Sequence, residues 1–380
     1  YYETTTVAGE EVRAFVPSPL PPESPPVGLD DSLQQALEMA TAALADLELA
    51  GGMVPSVSWF LYSFVRKEAV LTSQIEGTQA TLVDLLSSEA VDETVGPDPD
   101  IEEVTNYLDA LAWSRNQLSR PDGLPISARL LSEAHIQLMQ GVRGSDKQPG
   151  EVRRSQNWVG GTRPGNAAFV PPPPHLLSQA LSALERYIHA DHELPPLIRI
   201  GLIHVQFETL HPYLDGNGRL GRLLIALLLE DWGLLREPLL YISLFLKRHR
   251  MEYYRRLDAV RTAGEWEPWL QFYLDGVASI ATEAVAAIRD LGEQVESDRI
   301  RLLALKEATV PAVRLFELLP EHPVVTVTRV VKLLDTTRPT AGKAISALEE
   351  AGILKEITGR KRDRTWHYGK YIEILREGTE

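Results

Sequence analysis

The sequence predicts a mainly α-helical protein, in which a helical bundle carries one β-hairpin flap and a small winged helix-turn-helix domain follows. Three observations predict this fold. Apolar residues recur at three- and four-residue steps along most of the chain. Residues 141–174 break that pattern, with Gly, Pro, Asn and Arg around short apolar islands. Near the C-terminus, three short helical patterns precede two alternating stretches that flank a basic turn.

The first hundred residues combine an arm with helices. Six of the twelve residues from 16 to 27 are proline, which favours extended polyproline-like stretches, so we expect residues 1–28 to be an extended arm. Apolar periodicity then begins near Leu29, and Gly51 and Gly52 should end the first helix. Further helices are predicted from residue 56 or 58 to 75 and from residue 81, with a loop at 95–99. We therefore delimit an N-terminal region at residues 1–100.

The central region, residues 101–297, should hold most of the bundle. Helices are predicted over 101–118, 127–139, 176–189, 196–210, 219–231, 243–261 and 266–295. Between them, the islands at 157–159 and 168–170 lie on either side of Gly160 and Gly161. Short apolar islands around paired glycines are typical of a hairpin, so we expect a β-hairpin flap there.

Residues 298–380 should form the winged helix-turn-helix domain. Helices are predicted over 311–319, 328–334 and 338–351, and strands over 353–357 and 364–368. The turn between the strands is basic, with Arg360, Lys361, Arg362 and Arg364. From 311 to 370 there are eleven Lys or Arg and seven Asp or Glu, a balance of 11 − 7 = +4. This local charge is a modest indication of nucleic-acid binding.

The composition excludes several function classes. The chain of 380 residues has 38 Lys and Arg against 53 Asp and Glu, a net charge of −15 that argues against broad nucleic-acid coating. It has no cysteine, which excludes disulfides, Cys-ligated zinc and cysteine nucleophiles and fits a reducing compartment. The longest aliphatic run, residues 223–229, is too short to cross a bilayer of about 30 Å. No signal sequence is visible, so we expect a cytoplasmic protein without a membrane partner.

The most informative stretch is residues 211–222, His-Pro-Tyr-Leu-Asp-Gly-Asn-Gly-Arg-Leu-Gly-Arg. Pro212 disfavours α geometry at His211, so the preceding helix should end there with the imidazole at the loop edge. Gly216 and Gly218 allow a ligand to approach the backbone closely. The next helix then begins near residue 219, and its N-terminus attracts anions. The sequence therefore predicts a phosphate-binding loop.

Charged residues in the same stretch support this interpretation. Arg219 and Arg222 lie three apart on one helix face, and two guanidiniums suit a di- or triphosphate. Asp215 would repel phosphate unless a cation such as Mg²⁺ bridges them. A neutral His211 can accept a hydroxyl proton. Each feature alone is more often a turn, a cap or a solvated helix face, but their convergence within twelve residues favours a site.

This stretch resembles the signature of Fic-domain proteins, His-Pro-Phe-x-Asp/Glu-Gly-Asn-Gly-Arg-x-x-Arg, with Tyr213 in place of the usual phenylalanine. Residues 156–162 and 168–174 resemble the family's flap. Residues 72–77, Thr-Ser-Gln-Ile-Glu-Gly, are similar to its inhibitory motif, Ser/Thr-x-x-x-Glu-Gly/Asn. With the Pro-rich arm and the winged helix, nearly the whole chain is similar to bacterial Fic proteins that have an N-terminal inhibitory helix.

The resemblance implies a protein adenylyltransferase, which transfers AMP from ATP to a hydroxyl on a target protein and uses Mg²⁺. It implies that His211 is the general base and that Asp215 binds the magnesium ion. Residues implied to bind ATP are Val159, Gly160, Gly161, Thr162, Asp215, Gly216, Asn217, Gly218, Arg219, Leu220, Gly221, Arg222 and Tyr253. Several members have Asn where this chain has Arg261, which departs from the family's adenine contacts.

The resemblance also implies autoinhibition through Thr72, Glu76 and Gly77. Glu76 should lie at a helix C-terminus, where the helix dipole disfavours a carboxylate, so a partner arginine would compensate. In the family this partner is the second motif arginine, here Arg222. A bidentate bond would withdraw that guanidinium from ATP. The simpler alternative is a surface glutamate before a glycine turn.

Two alternatives to AMP transfer stay open at this point. One is a DNA-binding regulator that uses the C-terminal winged helix, with Arg338, Lys343 and the basic turn as contacts, although winged helices also dock proteins. The other is a Fic enzyme that removes AMP or transfers another phosphate-containing group. A homodimer and modification of the chain itself are further open partner assignments.

Overall fold

The computed structural model describes residues 1–53, 57–91, 98–306, 308–360 and 363–380. It confirms the mainly helical fold. The helices before the flap are α1 (Asp31–Met53), α2 (Val57–Ile75), α3 (Leu82–Ala90), α4 (Pro99–Ser119) and α5 (Ala128–Leu138). Of the predicted loop at 95–99, residues 95–97 lie outside the described part, and Pro99 is the first residue of α4.

The N-terminal arm is partly a β-hairpin, so the prediction of an extended arm is wrong for its first half. Strands β1 (Tyr2–Val7) and β2 (Glu10–Phe15) pair antiparallel, with Tyr2 opposite Phe15. Ala8 and Gly9 form the turn with positive φ. The alternation of Val12 and Ala14 with Glu11 and Arg13 after the Ala8-Gly9 turn was a local signal for this hairpin, and the prolines that follow obscured it.

The central helices enclose the segment that carries the motif. After the flap come α6 (Pro174–His189), α7 (Pro196–Leu210), α8 (Asn217–Asp231), α9 (Ser243–Arg248), α10 (Arg250–Ala263) and α11 (Trp266–Leu303). Every residue of α7 from Leu210 back to Ile200 is buried, so α7 runs through the middle of the bundle and packs against α8. The predicted helix 243–261 is in fact two helices that meet at His249, and α8 begins two residues before residue 219.

The long helix α11 packs along α1 and runs without a break across residue 297, the predicted boundary of the central region. The flap is less regular than predicted. A single β-bridge joins Val159 and Phe169 through two backbone hydrogen bonds of 2.8 and 3.1 Å, and residues 164–166 form a 3-10 turn. The predicted hairpin is therefore reduced to one bridge, because the positive φ of Gly160 and Gly161 turns the chain immediately after Val159.

The C-terminal unit is a small α/β structure. Its elements are α12 (Val310–Leu318), β3 (Val324–Thr326), α13 (Val327–Leu334), α14 (Arg338–Glu350), β4 (Leu354–Glu356), β5 (Thr365–Tyr368) and α15 (Gly369–Leu375). The antiparallel sheet has the order β3-β5-β4, with Val325 opposite Trp366 and Lys355 opposite His367. The sequence predicted the three helices and the β4-β5 pair, whereas β3 and α15 were missed. Lys361 and Arg362 of the predicted basic turn lie outside the described residues.

One continuous apolar core joins these regions. It includes Leu44 of α1, Phe64 of α2, Leu223 of α8 and Leu348 of α14, all at most 2% exposed. A second, small cluster joins the N-terminal hairpin to Val170 at the exit of the flap. Among the described residues, no helix has the length and apolarity needed to span a membrane.

Candidate active site

The loop between α7 and α8 begins at His211. This residue ends α7 in the left-handed conformation, with φ 46°, and its N–H donates to the Phe207 carbonyl at 3.0 Å. Pro212 follows and cannot continue the helix. Asn217 closes the loop, because its side chain bonds both the N–H and the carbonyl of Tyr213, at 2.9 and 2.8 Å. The imidazole therefore stands at a fixed turn, as the sequence predicted.

Arg153 fixes the His211 peptide from the flap side. Its Nε donates to the His211 carbonyl at 2.9 Å, and its Nη2 donates to the Pro172 carbonyl at 2.6 Å. The Arg153 N–H also donates to the Pro212 carbonyl at 2.9 Å. Arg153 is 1% exposed, and no carboxylate within the described residues is paired with it. This buried cation therefore links the motif loop to the base of the flap through carbonyl oxygens.

A histidine and a tyrosine support the loop from below. His135 stacks on Tyr213, with ring centroids 4.1 Å apart, and the Tyr213 hydroxyl lies 3.1 Å from the Ser132 hydroxyl. The Gly150 N–H donates to His135 Nδ1 at 2.8 Å, so Nε2 carries the proton toward the Asp215 carbonyl at 2.9 Å. Burial lowers the pKa of His135 to about 4, which keeps it neutral.

The predicted anion cradle lies at the start of α8. Gly216 has φ 75°, and a Cβ there would lie 2.8 Å from the Met139 sulfur. The Asp215 carboxylate stands at the edge of the cradle and pairs with Lys147 at 2.8 Å. Burial acts to raise the pKa of Asp215, but the hydrogen bonds from Lys147 and the Gly216 N–H outweigh it and lower that pKa. Asp215 is therefore an ionised carboxylate beside a helix N-terminus.

Arg222 is bound by residues 72–76. Its Nη2 lies 2.5 Å from Glu76 Oε1 and 3.1 Å from the Thr72 carbonyl, and its Nε donates to the Thr72 hydroxyl at 2.7 Å. The guanidinium is 1% exposed. Burial alone would lower the pKa of Arg222, but Glu76 raises it, and Arg222 in turn lowers the pKa of Glu76. The pair is monodentate, so the expected bidentate geometry is wrong: Thr72 takes the place of the second carboxylate oxygen.

Arg219 is bound separately. Its Nη1 lies 3.3 Å from Glu103 of α4, and its Nη2 contacts the Met139 sulfur at 3.4 Å. The buried Nε–H of Arg219 has no acceptor among the described residues. Glu103 also accepts a hydrogen bond from the Thr78 hydroxyl at 3.0 Å. Both motif arginines therefore meet carboxylates that are bonded to, or part of, the turn at residues 76–78.

The electrostatic surroundings keep His211 neutral. Burial and the nearby cations Arg261 and Arg153 together lower the pKa of His211 to about 4. Arg261 donates to the Thr209 hydroxyl at 3.1 Å and stands 3.9 Å from the centre of the Phe169 ring. At neutral pH the imidazole therefore has a lone pair available to accept a proton.

Comparisons with known proteins match two regions of the chain to family models. Residues 34–116 match the Fic/DOC family N-terminal domain, and residues 125–229 match the Fic/DOC family domain. The second match contains the flap, the motif loop and both motif arginines. The chain therefore carries a Fic domain. Its Fic motif is the stretch from His211 to Arg222.

The chain is also similar to protein adenylyltransferases over about half of its length. The chain is 29% identical over 191 residues to the protein adenylyltransferase Fic of Drosophila yakuba, and equally to that of Drosophila melanogaster. The matched region covers 50% of this chain and 34% of each of those relatives. A crystal structure of a Fic family protein from Desulfovibrio desulfuricans G20 has a TM-score of 0.58 at 18% identity, covering 90% of this chain and 97% of that one. A structure of Fic-1 from C. elegans has a TM-score of 0.50 over 68% of this chain and 72% of that chain.

Some predicted ATP contacts of the Fic motif lie inside the protein. Leu220 is fully buried in the core. Gly221 faces α7, where a Cβ would overlap Glu208, and its carbonyl lies 3.1 Å from His204 Nδ1. The Asn217 side chain is hydrogen-bonded to the main chain of Tyr213. These three positions shape the Fic loop and its packing, and their part in ATP binding stays a prediction.

The predicted adenine-side tyrosine, Tyr253, is buried, and its role toward a nucleotide stays a prediction. Tyr253 is 1% exposed, and its hydroxyl lies 2.8 Å from His204 Nε2, so the ring belongs to the core beneath α8. Tyr254, its neighbour, is 41% exposed, and partial burial together with the charge of Glu76 raises its pKa against the opposing charge of Arg222. Of the two neighbouring tyrosines, Tyr254 is therefore the one with an exposed ring, whereas Tyr253 belongs to the core.

The flap residues are held by the Val159–Phe169 bridge and by the N-terminal hairpin. Val159 holds the bridge to Phe169, and the Thr162 N–H donates to the Asn166 side chain at 3.0 Å. Glu10 of the N-terminal hairpin pairs with Arg163 at 2.8 Å and accepts from the Gly165 N–H at 2.9 Å. The N-terminal hairpin therefore supports the flap.

Sequence reasoning missed several residues that organise the site: Arg153, His135, Lys147, Glu103, His204 and Glu10. A buried arginine next to an exposed one, or a glutamate on an amphipathic helix, carries no local sequence signal. Only the pairing of distant elements reveals these roles.

Proposed function

We propose that this chain transfers AMP from ATP to a Tyr, Ser or Thr hydroxyl on a target protein, and that Glu76 restrains it. The observation that carries the proposal is the convergence at the α7–α8 loop of an ionised carboxylate, a glycine-lined helix N-terminus and two buried guanidiniums beside a neutral imidazole. The name of the Drosophila relatives, protein adenylyltransferase Fic, supports AMP as the transferred group.

In this proposal the hydroxyl oxygen of the target attacks the α-phosphorus of ATP. A bond forms between that oxygen and phosphorus, the bond to the oxygen that bridges the α- and β-phosphates breaks, and pyrophosphate leaves. The hydroxyl proton passes to His211, which is neutral at pH 7. The N–H groups at the start of α8 and the two motif arginines bind the phosphates.

The donor groups fit a magnesium ion that arrives with the nucleotide. Asp215 supplies one carboxylate, and no cluster of three or more potential protein ligands exists among the residues that the structure describes. Mg²⁺ is commonly held in this way, by one or two carboxylates together with substrate phosphates. When bound, it would neutralise phosphate charge. Lys147 now occupies one oxygen of Asp215, so we expect this ion pair to open when the cation binds.

The proposed restraint follows from the bonds of Arg222. Glu76 and Thr72 together engage Nε and Nη2 of this guanidinium, which is otherwise enclosed by the core. A phosphate that binds Arg222 must therefore displace Glu76 or accept its negative charge close by. Either event disfavours the productive position of the triphosphate.

Transfer of labelled AMP from ATP to proteins of a lysate tests the proposal. Glu76→Gly should raise labelling strongly, and Glu76→Gln, which keeps the size but loses the charge, should raise it less. His211→Ala in the Glu76→Gly background should abolish it. Equal labelling by wild type and Glu76→Gly would refute the restraint, and labelling that survives His211→Ala would refute the base assignment.

The same assay separates the alternatives within the family. Substituting UTP or another nucleotide for ATP tests the transferred group, and incubation with a pre-labelled target tests AMP removal. A labelled band at 42.3 kDa would show modification of the chain itself. The two motif arginines and their N-terminal helix turn support ATP with its triphosphate in the cradle.

DNA binding by the C-terminal unit is a second candidate function. A groove of about 640 Å³ is lined by Arg338 at the start of α14, by Arg360 and Arg364, and by the threonines Thr326, Thr328 and Thr365. Three arginines and hydroxyl groups in one groove suit a phosphate backbone. We expect the full chain to shift duplex DNA at low salt and lose the shift as salt rises. Arg338→Ala should weaken it, while the exposed and distant Arg236→Ala should not.

A further inference from the structure

Residues 376–380, which we name the latch segment, lie against the last turn of α2, close to Glu76. Gln74 Nε2 donates to the Thr379 carbonyl at 3.0 Å. Lys247 of α9 donates to the Gly378 carbonyl at 2.9 Å and to Gln74 Oε1 at 2.6 Å. These bonds join α2, α9 and the latch segment around one ammonium group.

The latch segment is seated in a defined conformation. Thr379 is 1% exposed, and its N–H and hydroxyl both donate to the Arg376 carbonyl, at 2.9 and 2.7 Å. Gly378 has φ 81°, and a Cβ on it would overlap the Leu244 side chain of α9. Only glycine therefore fits at position 378.

Gln74 connects the latch segment to the turn that positions Glu76. The Gly77 N–H donates to the Gln74 carbonyl at 3.1 Å, and Gln74 Nε2 donates to the Ala80 carbonyl at 2.9 Å as well as to Thr379. Gln74 thus contacts both ends of the turn that contains Glu76: Gly77 through its main-chain carbonyl and Ala80 through its side-chain amide. Lys247 in turn donates to the side-chain oxygen Oε1 of Gln74.

The rest of the C-terminal unit also lies along α2. The Tyr62 ring meets the His322 ring edge-on at 6.2 Å, Ser58 bonds Glu321, and α15 packs against α2. A movement of this unit away from α2 would therefore also draw the latch segment away from Gln74.

We propose that the latch segment holds the Glu76 turn in its restraining position, with Gln74 and Lys247 as positioning residues. A partner that draws the C-terminal unit away from α2 would release Glu76 and free Arg222. This inference rests on the proposed restraint by Glu76, and it adds the device that maintains the restraint and the place where it is relieved.

Two variants open the latch in different ways. Lys247→Met keeps the aliphatic stem and removes the ammonium, while Gly378→Ala adds the overlapping methyl at a positive φ. Gly352→Ala is the matched control, because Gly352 also has a positive φ, 67°, in the C-terminal unit, and its Cβ would meet only ordinary contact at 3.6 Å. Each change is made in the full chain, with Glu76 intact and with Glu76→Gly.

The first readout needs no activity. Hydrogen–deuterium exchange should show faster uptake at residues 74–80 in Lys247→Met and Gly378→Ala, by about tenfold, and unchanged uptake in Gly352→Ala. Unchanged uptake in both latch variants would overturn the proposal, whatever the enzymatic activity of the chain.

The second readout is AMP transfer. Both latch variants should raise it about tenfold when Glu76 is present, and should add nothing in the Glu76→Gly background. An equal rise in both backgrounds would show that the latch acts elsewhere and would overturn the proposal. Absence of transfer in Glu76→Gly itself would count against the proposed function instead, and the exchange experiment would still decide the latch.

Discussion

Gly218 and Glu76 face each other across the cradle: a Cβ built on Gly218 would overlap Glu76 Oε1 and lie 3.1 Å from Nη1 of Arg222. The missing side chain at position 218 therefore allows the carboxylate to reach the guanidinium. The same glycine that suits close approach of a phosphate is used, in this state, for close approach of Glu76.

A double-mutant cycle tests this relationship. Gly218→Ala should lower the free energy of unfolding by about 1–3 kcal/mol, because the methyl group overpacks against Glu76. In the Glu76→Gly background the obstacle is gone, and the cost should fall by at least half. Urea denaturation of the four proteins measures the coupling. Equal costs in both backgrounds would show that Gly218 is needed for another reason.

Glu103→Ala should destabilise the protein by roughly 3–5 kcal/mol, because it leaves the buried Arg219 without its carboxylate. The matched control is Arg143→Ala. Arg143 lies 3.7 Å from the same carboxylate but is 66% exposed, so its loss should cost less than about 1 kcal/mol. Urea midpoints measure both. Similar costs for the two variants would contradict the assignment of Arg219 as the partner that matters.

Arg153→Lys should loosen His211 and the base of the flap together. Lysine keeps the charge but cannot bond the His211 and Pro172 carbonyls at the same time from one planar group. We expect AMP transfer in the Glu76→Gly background to fall at least about tenfold in kcat, and deuterium uptake at residues 155–172 to rise. Arg154→Ala is the control, since Arg154 is 84% exposed and pairs only with Glu151 among the described carboxylates. A normal kcat in Arg153→Lys would contradict the prediction.

The His211 ring should titrate at about pH 4, well below an ordinary histidine, because burial and two nearby arginines disfavour its charged form. NMR of ¹³C-labelled histidine, assigned with His211→Ala, measures this midpoint. Since the unfolded chain binds the proton first, the contribution of His211 to the free energy of unfolding falls as pH drops from about 6.5 towards 4. A midpoint at or above pH 6 would contradict the prediction.

Local sequence was sufficient for much of this site. Pro212 after His211, two glycines around Asn217 and arginines three apart each act through backbone geometry within one loop and one helix turn. The bounds of α2 and α7 and the start of α3 were also predicted to within two residues, because apolar spacing and caps such as Thr81 are local signals. The N-terminal hairpin was missed although its signal was local, since the prolines after it dominated the interpretation.

Sequence alone determined the loop, the order of its charged residues and the family resemblance that pairs Glu76 with Arg222, because these depend on spacing along the chain. Only the tertiary structure decided which groups share a carboxylate, that Tyr253 is buried while Tyr254 is exposed, and that Gln74 meets Thr379 across 305 residues. Such contacts depend on how helices pack. Packing is set by the sum of many weak apolar contacts over the whole core, and no short stretch of sequence carries that information.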